Sequence, residues 1–274
     1  MELVSIDSMQ VYRGMDIGTA KPTAAERAEV PHHLVDVADA SEDFSVARFQ
    51  SAAAEAIRAI EARGRRALLV GGTGLYLQAV VDGLNVPGAW PRLRAELEAE
   101  AATPAGLGTL YRQLAVVDPP TAARMEPSNA RRIVRALEVT LGSARPFSSF
   151  GPGISAFPPT RFRLAGIWLP RAVVNGRIEA RYRAQLDAGF LDEVRRLPAD
   201  LSRTARQALG YKELLEHLAG ATTLDQALDV AVARTRQFAR RQRMWFRRDP
   251  RTVWFGASAN PVAVVPALLE HWAA

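Results

Sequence analysis

Asp7 sits where a short apolar run, Glu2-Leu-Val-Ser-Ile6, gives way to Asp-Ser. If that run is a strand of an open α/β sheet, its carboxyl end is where ligands bind. A carboxylate there can accept a proton or hold the water shell of a metal; it can equally close a turn on its own backbone. Gly71-Gly72-Thr73-Gly74 ends a second apolar run and opens a helical pattern. Its amides can face an anion at a helix start, or its glycines can serve a close-packed turn. It is not a P-loop, because no Gly-Lys-Ser/Thr follows. His32 and His33 are adjacent, but there is no cysteine and the other histidines are His217 and His271. A loop or packing role is therefore expected for the pair, and no metal site.

The arginines carry the second possible chemistry. Arg177 and Arg181 are four apart on one expected helix and share a face. Two guanidinium forks aimed together suit a diphosphate, or simply form a solvated basic face. In the helix expected from Ala130, Arg131, Arg132 and Arg135 fall on one side, opposite Ala130, Ile133, Val134, Leu137 and Leu141. That leaves the arginines free for phosphates. The helix expected from Leu224 to about Arg248 is more lopsided. Leu224, Leu228, Ala231, Thr235, Phe238, Gln242 and Trp245 make an inner stripe. Arg234, Arg236, Arg240, Arg241, Arg243, Arg247 and Arg248 crowd the rest with scarcely an acid between them. Ion pairs within the helix cannot explain such a face; nucleic acid can.

These residues need elements to position them. Residues 2–6 read as a strand and 44–63 as an amphipathic helix, with Ser45 as N-cap and Val46, Phe49, Ala53, Ile57 and Ile60 at helical spacing. The run 67–70 is continuously apolar, as in a parallel strand buried on both faces. A helix over 75–81 follows the glycine turn, which completes α/β grammar. From Pro91 to about Leu141 helix follows helix: one over 93–102, and one over 130–141 with Ser128 as cap and Gly142 just past its end. After a loose stretch over 142–159, a strand is expected over 161–169, helices to about Asp249, and a last strand over 252–255. A helical insertion over 91–157 within an α/β core made of 1–90 and 158–274 is the economical reading.

The 274 residues are 48% hydrophobic and 23% charged, which excludes a disordered or fibrous chain. The absence of cysteine excludes disulfides, thiolate zinc and a cysteine nucleophile, and favours a reducing compartment. The amino terminus has neither the basic nor the apolar region of a signal peptide, and the apolar stretch over 67–81 is too short for a bilayer. A cytoplasmic protein without membrane partners is expected. The net charge of +6 is almost entirely arginine, lysine occurring only at Lys21 and Lys212. That suits a polyanionic partner, though the arginine and alanine bias of a GC-rich genome gives the same composition.

With these residues in place, the chain resembles the bacterial tRNA dimethylallyltransferase (tRNA isopentenyltransferase) family. The resemblance rests first on Asp7-Ser-Met-Gln-Val-Tyr-Arg-Gly-Met-Asp-Ile-Gly-Thr-Ala-Lys-Pro22. Pro31-His-His-Leu34, Val70-Gly-Gly-Thr-Gly-Leu-Tyr76, Arg135-Ala-Leu-Glu138, Arg177-Ile-Glu-Ala-Arg181, Gln207-Ala-Leu-Gly-Tyr-Lys212 and Thr235-Arg-Gln-Phe-Ala-Arg-Arg-Gln242 follow in order. They span nearly the whole chain. The resemblance implies a P-loop NTPase-like parallel sheet whose helical insertion grips a tRNA anticodon stem-loop. The adenosine beside the anticodon is flipped out, its exocyclic amine attacks dimethylallyl diphosphate with Mg2+ assisting, and diphosphate leaves. It implies Asp7 as general base and Arg181, with Arg177 beside it, on the diphosphate. It further implies tRNA contacts from Asp7, Ser8, Met9, Gln10, Arg131, Arg132, Ile133, Val134, Arg135, Gln207, Ala208, Leu209, Gly210, Tyr211, Lys212, Arg236, Gln237, Arg240, Arg241 and Gln242. A monomer is expected. Lys21 shares the family motif, and its residue type assigns it no role.

One part of the family pattern has no counterpart. Family members begin with a strand and a loop of the type Gly-Pro-Thr-Ala-Ser-Gly-Lys-Thr, which supplies an amide cradle and a lysine for the diphosphate. No such loop occurs in these 274 residues, which open at what resembles the second strand of the family. The expectation is a start misplaced by roughly 25 to 30 residues, about one strand-loop-helix unit. Apolar sheet edges and little or no transfer are expected of the sequence as it stands. Two rival readings accompany this one. An adenylate isopentenyltransferase would need neither the insertion nor the arginine-rich helix, and a catalytically dead RNA-binding relative would bind a stem-loop without chemistry.

Overall fold

A computed structural model describes residues 1–273. The chain divides into two compact units, one made of 1–82 with 157–274 and the other of 83–156. In chain order the elements are β1 (Glu2–Ile6), α1 (Ala24–Glu29), β2 (His32–His33), α2 (Val46–Ala62), β3 (Ala67–Gly71) and α3 (Gly74–Asp82). The second unit holds α4 (Pro91–Glu100), α5 (Pro104–Val117), α6 (Pro119–Ala122) and α7 (Ala130–Ser143). The first unit resumes with β4 (Ala165–Trp168), α8 (Arg171–Asp187), α9 (Phe190–Arg195), α10 (Tyr211–Leu218), α11 (Leu224–Phe246), β5 (Val253–Gly256) and α12 (Val265–Ala273).

The first unit is α/β with parallel strands. β1 lies between β2 and β3, with Leu3 level with His32 on one side and Leu68 on the other. β4 pairs with β5, also parallel, in a separate two-stranded sheet. Val4 and Ile6 of the central strand are fully buried. Among the described residues β3 and β4 each pair on one side only, and Val70, Ile167 and Trp168 stand exposed on them at 51%, 46% and 36%. This is the kind of apolar strand surface that invites further pairing.

α2 shows how the sequence builds the unit. Ser45 Oγ accepts the Arg48 amide as an N-cap, and Phe49, Ala53, Ile57 and Ile60 form the buried stripe. Burying each of its large apolar side chains stabilises by about 1.5–3 kcal/mol. The stripe packs into a core with Val4, Ile6, Tyr12, Tyr76, Phe190 and Tyr211. The helical unit has its own core of Leu97, Leu110, Leu114, Ile133, Val134 and Leu137.

Some local expectations are corrected. α7 is capped by Asn129, whose side chain accepts the Arg132 amide, and not by Ser128. Gly142 lies inside that helix, which runs on to Ser143 and ends at Ala144 in the left-handed region. Leu141, placed by periodicity on the inner face, is 41% exposed, and Gly142 after it packs against the Trp90 ring instead. The strand expected over 161–169 is shorter and runs over Ala165–Trp168, although the Leu164 carbonyl just before it still accepts the Val253 amide. His32 and His33 form a short strand, where His33 Nε2 meets Glu2 at 2.6 Å. Among the described residues, no helix is long and apolar enough to cross a membrane.

Candidate active site at the carboxyl ends of β1 and β3

The chain leaves β1 at Asp7 and turns at once. Asp7 Oδ1 accepts the Met9 amide at 2.7 Å and the Gln10 amide at 3.3 Å, an Asx-turn that fixes the carboxylate. Oδ2 has no partner among the described residues. The neighbouring strand exits alongside: the Ser8 amide donates to Thr73 Oγ1 at 3.1 Å, and the Thr73 amide to the Ile6 carbonyl at 3.3 Å. The glycine turn is close-packed. A Cβ on Gly72 would overlap the Gln242 side chain and one on Gly74 the Trp245 ring, so α11 lies directly against it. Gln242 Nε2 also donates to the Gly72 carbonyl at 2.9 Å. Burial, with the charges of Tyr12 and Asp7 adding, pushes the Tyr76 phenol up to about 12, so it stays protonated near neutrality.

The segment after Asp7 is held by buried polar groups. Gln10 Oε1 accepts the Ser5 hydroxyl, and its Nε2 donates to the Thr19 and Ala20 carbonyls. Gln10 therefore bridges strand and loop, with its amide already occupied. Lys21, 2% exposed in its side chain, donates to the Tyr12 carbonyl and to Asp16 and Asp36 at 2.7 and 2.6 Å. Burial would raise the Asp36 carboxyl, but Lys21 and Arg27 together hold it below the usual range. Lys21, which the sequence left without a role, is thus the pin that joins 12–16 to 36.

The arginines separate into paired and open groups. Arg177 is exposed and donates to the Ala259 carbonyl, whereas Arg181 is exposed with no ion pair among the described residues. On α11, Arg234 pairs with Glu213 of α10 and Arg236 with Glu179 of α8. The acids missing from the helix are thus supplied by its neighbours, and Arg236 is not free for a phosphate. Gln237, Arg240 and Arg241 are exposed, Arg241 lying over the Phe238 ring. Within Gln207-Ala-Leu-Gly-Tyr-Lys212, Gln207 is exposed and Lys212 half-buried, but Ala208, Gly210 and Tyr211 are inside. The Ala208 and Tyr211 side chains therefore support the fold and are not surface contacts.

In the helical unit, Arg131 and Arg132 are exposed. Ile133 and Val134 are core residues, 0% and 4% exposed, and so are not surface contacts. Arg135 is also withdrawn from the basic face: it donates to Glu138 at 2.9 Å and to the Pro87 carbonyl. Burial would raise the Glu138 carboxyl, but the Trp90 amide, Arg135 and Arg94 hold it below the usual range.

Known proteins resemble this chain. The model of the family described as IPP transferase matches residues 10–249. The chain belongs to that family. The tRNA dimethylallyltransferase of Bifidobacterium animalis subsp. lactis is 45% identical over 98% of this chain and 78% of its own length. That of Kineococcus radiotolerans is 47% identical over 98% and 86%. Among solved structures, the tRNA isopentenylpyrophosphate transferase of Bacillus halodurans is 38% identical with a TM-score of 0.67, covering 98% of this chain and 88% of that one. A eukaryotic dimethylallyltransferase acting on tRNA is 25% identical with a TM-score of 0.77, covering 98% and 70%.

Several site-building residues have no motif or spacing that marks them. Thr73 was seen only as part of a turn, although its hydroxyl joins the two strand exits. Glu193 and Gln185 gave no signal, because they bind backbone atoms far away in sequence. Glu138 could have been found: Arg135 lies three residues before it, the spacing of a helical ion pair.

Proposed function

We propose that this chain transfers the dimethylallyl group of dimethylallyl diphosphate to the exocyclic amine of the adenosine adjacent to the anticodon in tRNA. The carbon–oxygen bond to the diphosphate breaks, a carbon–nitrogen bond forms, and the amine loses a proton. The observation that carries this reading is Asp7: one carboxylate oxygen is locked by two backbone amides and the other is open at the strand exit. An aromatic amine is a weak nucleophile, and a fixed oxygen that accepts its proton as the bond forms lowers the barrier. The base reaches that oxygen only if it leaves the anticodon stack.

Arg181, with Arg177 four residues before it, is the candidate partner for the departing diphosphate, since a guanidinium can meet charge that develops as the bond breaks. The described residues contain no cluster of three ligating side chains. They fit a magnesium ion that would keep most of its waters, with the oxygens of Asp7, Ser8 and Thr73 as the groups that would hold its water shell. Such an ion would supply charge neutralisation on the leaving group. Ser8, Met9, Gln207, Lys212, Gln237, Arg240 and Arg241, with Arg131 and Arg132 of the helical unit, are the residues left to hold the stem-loop.

The test is incubation of the purified protein with labelled dimethylallyl diphosphate and either an anticodon stem-loop or free adenylate. The expected product is prenylated adenosine in the digested stem-loop, over hours if necessary. Label on adenylate alone would make the mononucleotide the substrate. Salt-sensitive binding of the stem-loop with no label would leave an RNA-binding protein.

A further inference from the structure

Two buried side chains grip the backbone of one tripeptide. Glu193 of α9, 5% exposed, accepts the amides of Asp16 and Ile17 on Oε2 at 2.9 and 2.7 Å. Its Oε1 accepts the Gly18 amide at 3.2 Å and the Tyr211 hydroxyl at 2.6 Å. Gln185 of α8, 7% exposed, donates to the Ile17 and Gly18 carbonyls at 2.6 and 3.2 Å. Gly18 lies so close to the Phe190 and Tyr211 rings that a Cβ would overlap both. Burial and the Glu193 carboxylate push the Tyr211 phenol up, so its proton remains in this bond.

The cluster is more than the loop needs to stay folded. A buried carboxylate is costly unless its lone pairs are filled, and apolar packing would cover the loop without that cost. What a carboxylate and an amide add is register. They fix donors and acceptors of consecutive peptide units to a few tenths of an ångström, where apolar contacts tolerate sliding. Both ends of this grip lead to the candidate site. From Gly18 the chain runs to Thr19 and Ala20, whose carbonyls accept from the Gln10 side chain, and the Gln10 backbone N–H donates to Asp7. In the other direction Gln185 lies one helical turn beyond Arg181 on α8, and Arg177 one turn before it.

We infer that Gln185 and Glu193 are positioning residues which set Asp7 against the Arg177 and Arg181 face of α8, so that amine acceptor and diphosphate partner are held at a fixed spacing. This inference rests on the proposed transfer reaction. Displacement of a reacting group by about 1 Å costs on the order of 100-fold in rate, with binding of each substrate largely kept.

Glu193→Gln tests it. It keeps the shape and turns one acceptor into a donor that faces a backbone amide. Three quantities are compared with wild type: transfer to the stem-loop, KM for dimethylallyl diphosphate, and amide exchange of residues 16–18. We expect kcat to fall by about 100-fold with KM within about threefold, and exchange at 16–18 to rise by about 10- to 100-fold, since bonds to a charged acceptor are lost. Tyr211→Phe, which removes one donor of four and leaves the ring, is the gentler variant. It is expected to lower kcat severalfold and to preserve folding should Glu193→Gln not fold. If exchange rises in either variant while kcat stays at the wild-type value, the cluster is structural only and the inference is overturned. If both quantities stay unchanged, it is also overturned. A wild-type protein that labels no RNA overturns the reaction itself, and the positioning role with it.

Discussion

Two carboxylates stand at opposite ends of β1 and are treated in opposite ways. Glu2, at the amino end, is 2% exposed and meets Arg63 at 2.7 Å, Arg65 at 3.6 Å and His33 at 2.6 Å. Asp7, at the carboxyl end, meets no cation within ion-pair distance among the described residues and spends one oxygen on backbone amides. The strand that joins them is the buried centre of its sheet. The contrast separates a charge that holds strands together from a charge kept available. It follows the general placement of ligands at strand carboxyl ends in open α/β sheets. The arginines repeat the division, with Arg234 and Arg236 neutralised by buried or half-buried acids and Arg181 and Arg240 left to solvent.

The sharpest way to break the comparison is to remove the available charge. Asp7→Asn keeps the oxygen that accepts the Met9 and Gln10 amides and loses only basicity. Transfer is expected to fall by about 100- to 10,000-fold, the range of a general base. Stem-loop affinity and the thermal midpoint stay near wild type. Retained activity in Asp7→Asn would show that the open oxygen takes no proton, and the two ends of β1 would then differ in exposure only.

Lys21 supports the available end in the way Arg63 supports the other, and its loss is the next largest effect. Lys21→Met leaves the Tyr12 carbonyl and Asp16 without their cation and Asp36 with Arg27 alone. Removing one partner of a buried ion pair costs about 3–5 kcal/mol. The low end is expected here because Arg27 remains and Asp16 is exposed. Urea unfolding of the two proteins gives the difference directly. A loss below about 1 kcal/mol, the scale of a surface pair, would mean that water replaces the ammonium.

How far such distinctions can be read from sequence depends on whether the partner is local. Asp7 was legible because a strand and its exit are one stretch of chain, and α2 was legible because its cap and stripe repeat at helical spacing. The arginines of α11 were legible as a charged face but not as paired and open members. Glu213 and Glu179 lie 21 and 57 residues away from Arg234 and Arg236. Ile133 and Val134 were in view as the inner face of α7, yet the motif carried them over as tRNA contacts; a motif marks a stretch and does not say which side faces out. Glu193 was invisible for a deeper reason. It binds peptide groups, which every residue possesses, so nothing at Asp16 or Ile17 announces it.

The open arginines sharpen the comparison through salt. Each guanidinium that touches a phosphate contributes about 0.7–0.9 to the slope of log affinity against log salt. Arg240→Gln and Arg241→Gln are each expected to flatten the slope for an anticodon stem-loop by that amount. Arg236→Gln is expected to change it little, because its charge is already met by Glu179. Equal slopes for all three variants would erase the division between paired and open groups.

The smallest effect belongs to the closed end of β1 and appears only in acid. Hydrogen bonds from Arg63 and His33 hold the Glu2 carboxyl down from 4.5 to about 2. A carboxyl whose folded value lies below its unfolded value stabilises the fold fully above the unfolded value. That contribution is lost as pH falls through the folded one. Wild type and Glu2→Gln should therefore differ by a constant margin above about pH 4.5 and converge between 4.5 and about 2. The margin is modest, since Arg63 and Arg65 are themselves half exposed and screened by water. Urea midpoints at a series of pH values supply the two curves. Curves that stay parallel down to pH 2 would show that Glu2 keeps an ordinary carboxyl in the folded chain. Its three basic neighbours would then act as solvated charges, and the closed end of β1 would be as open as the other.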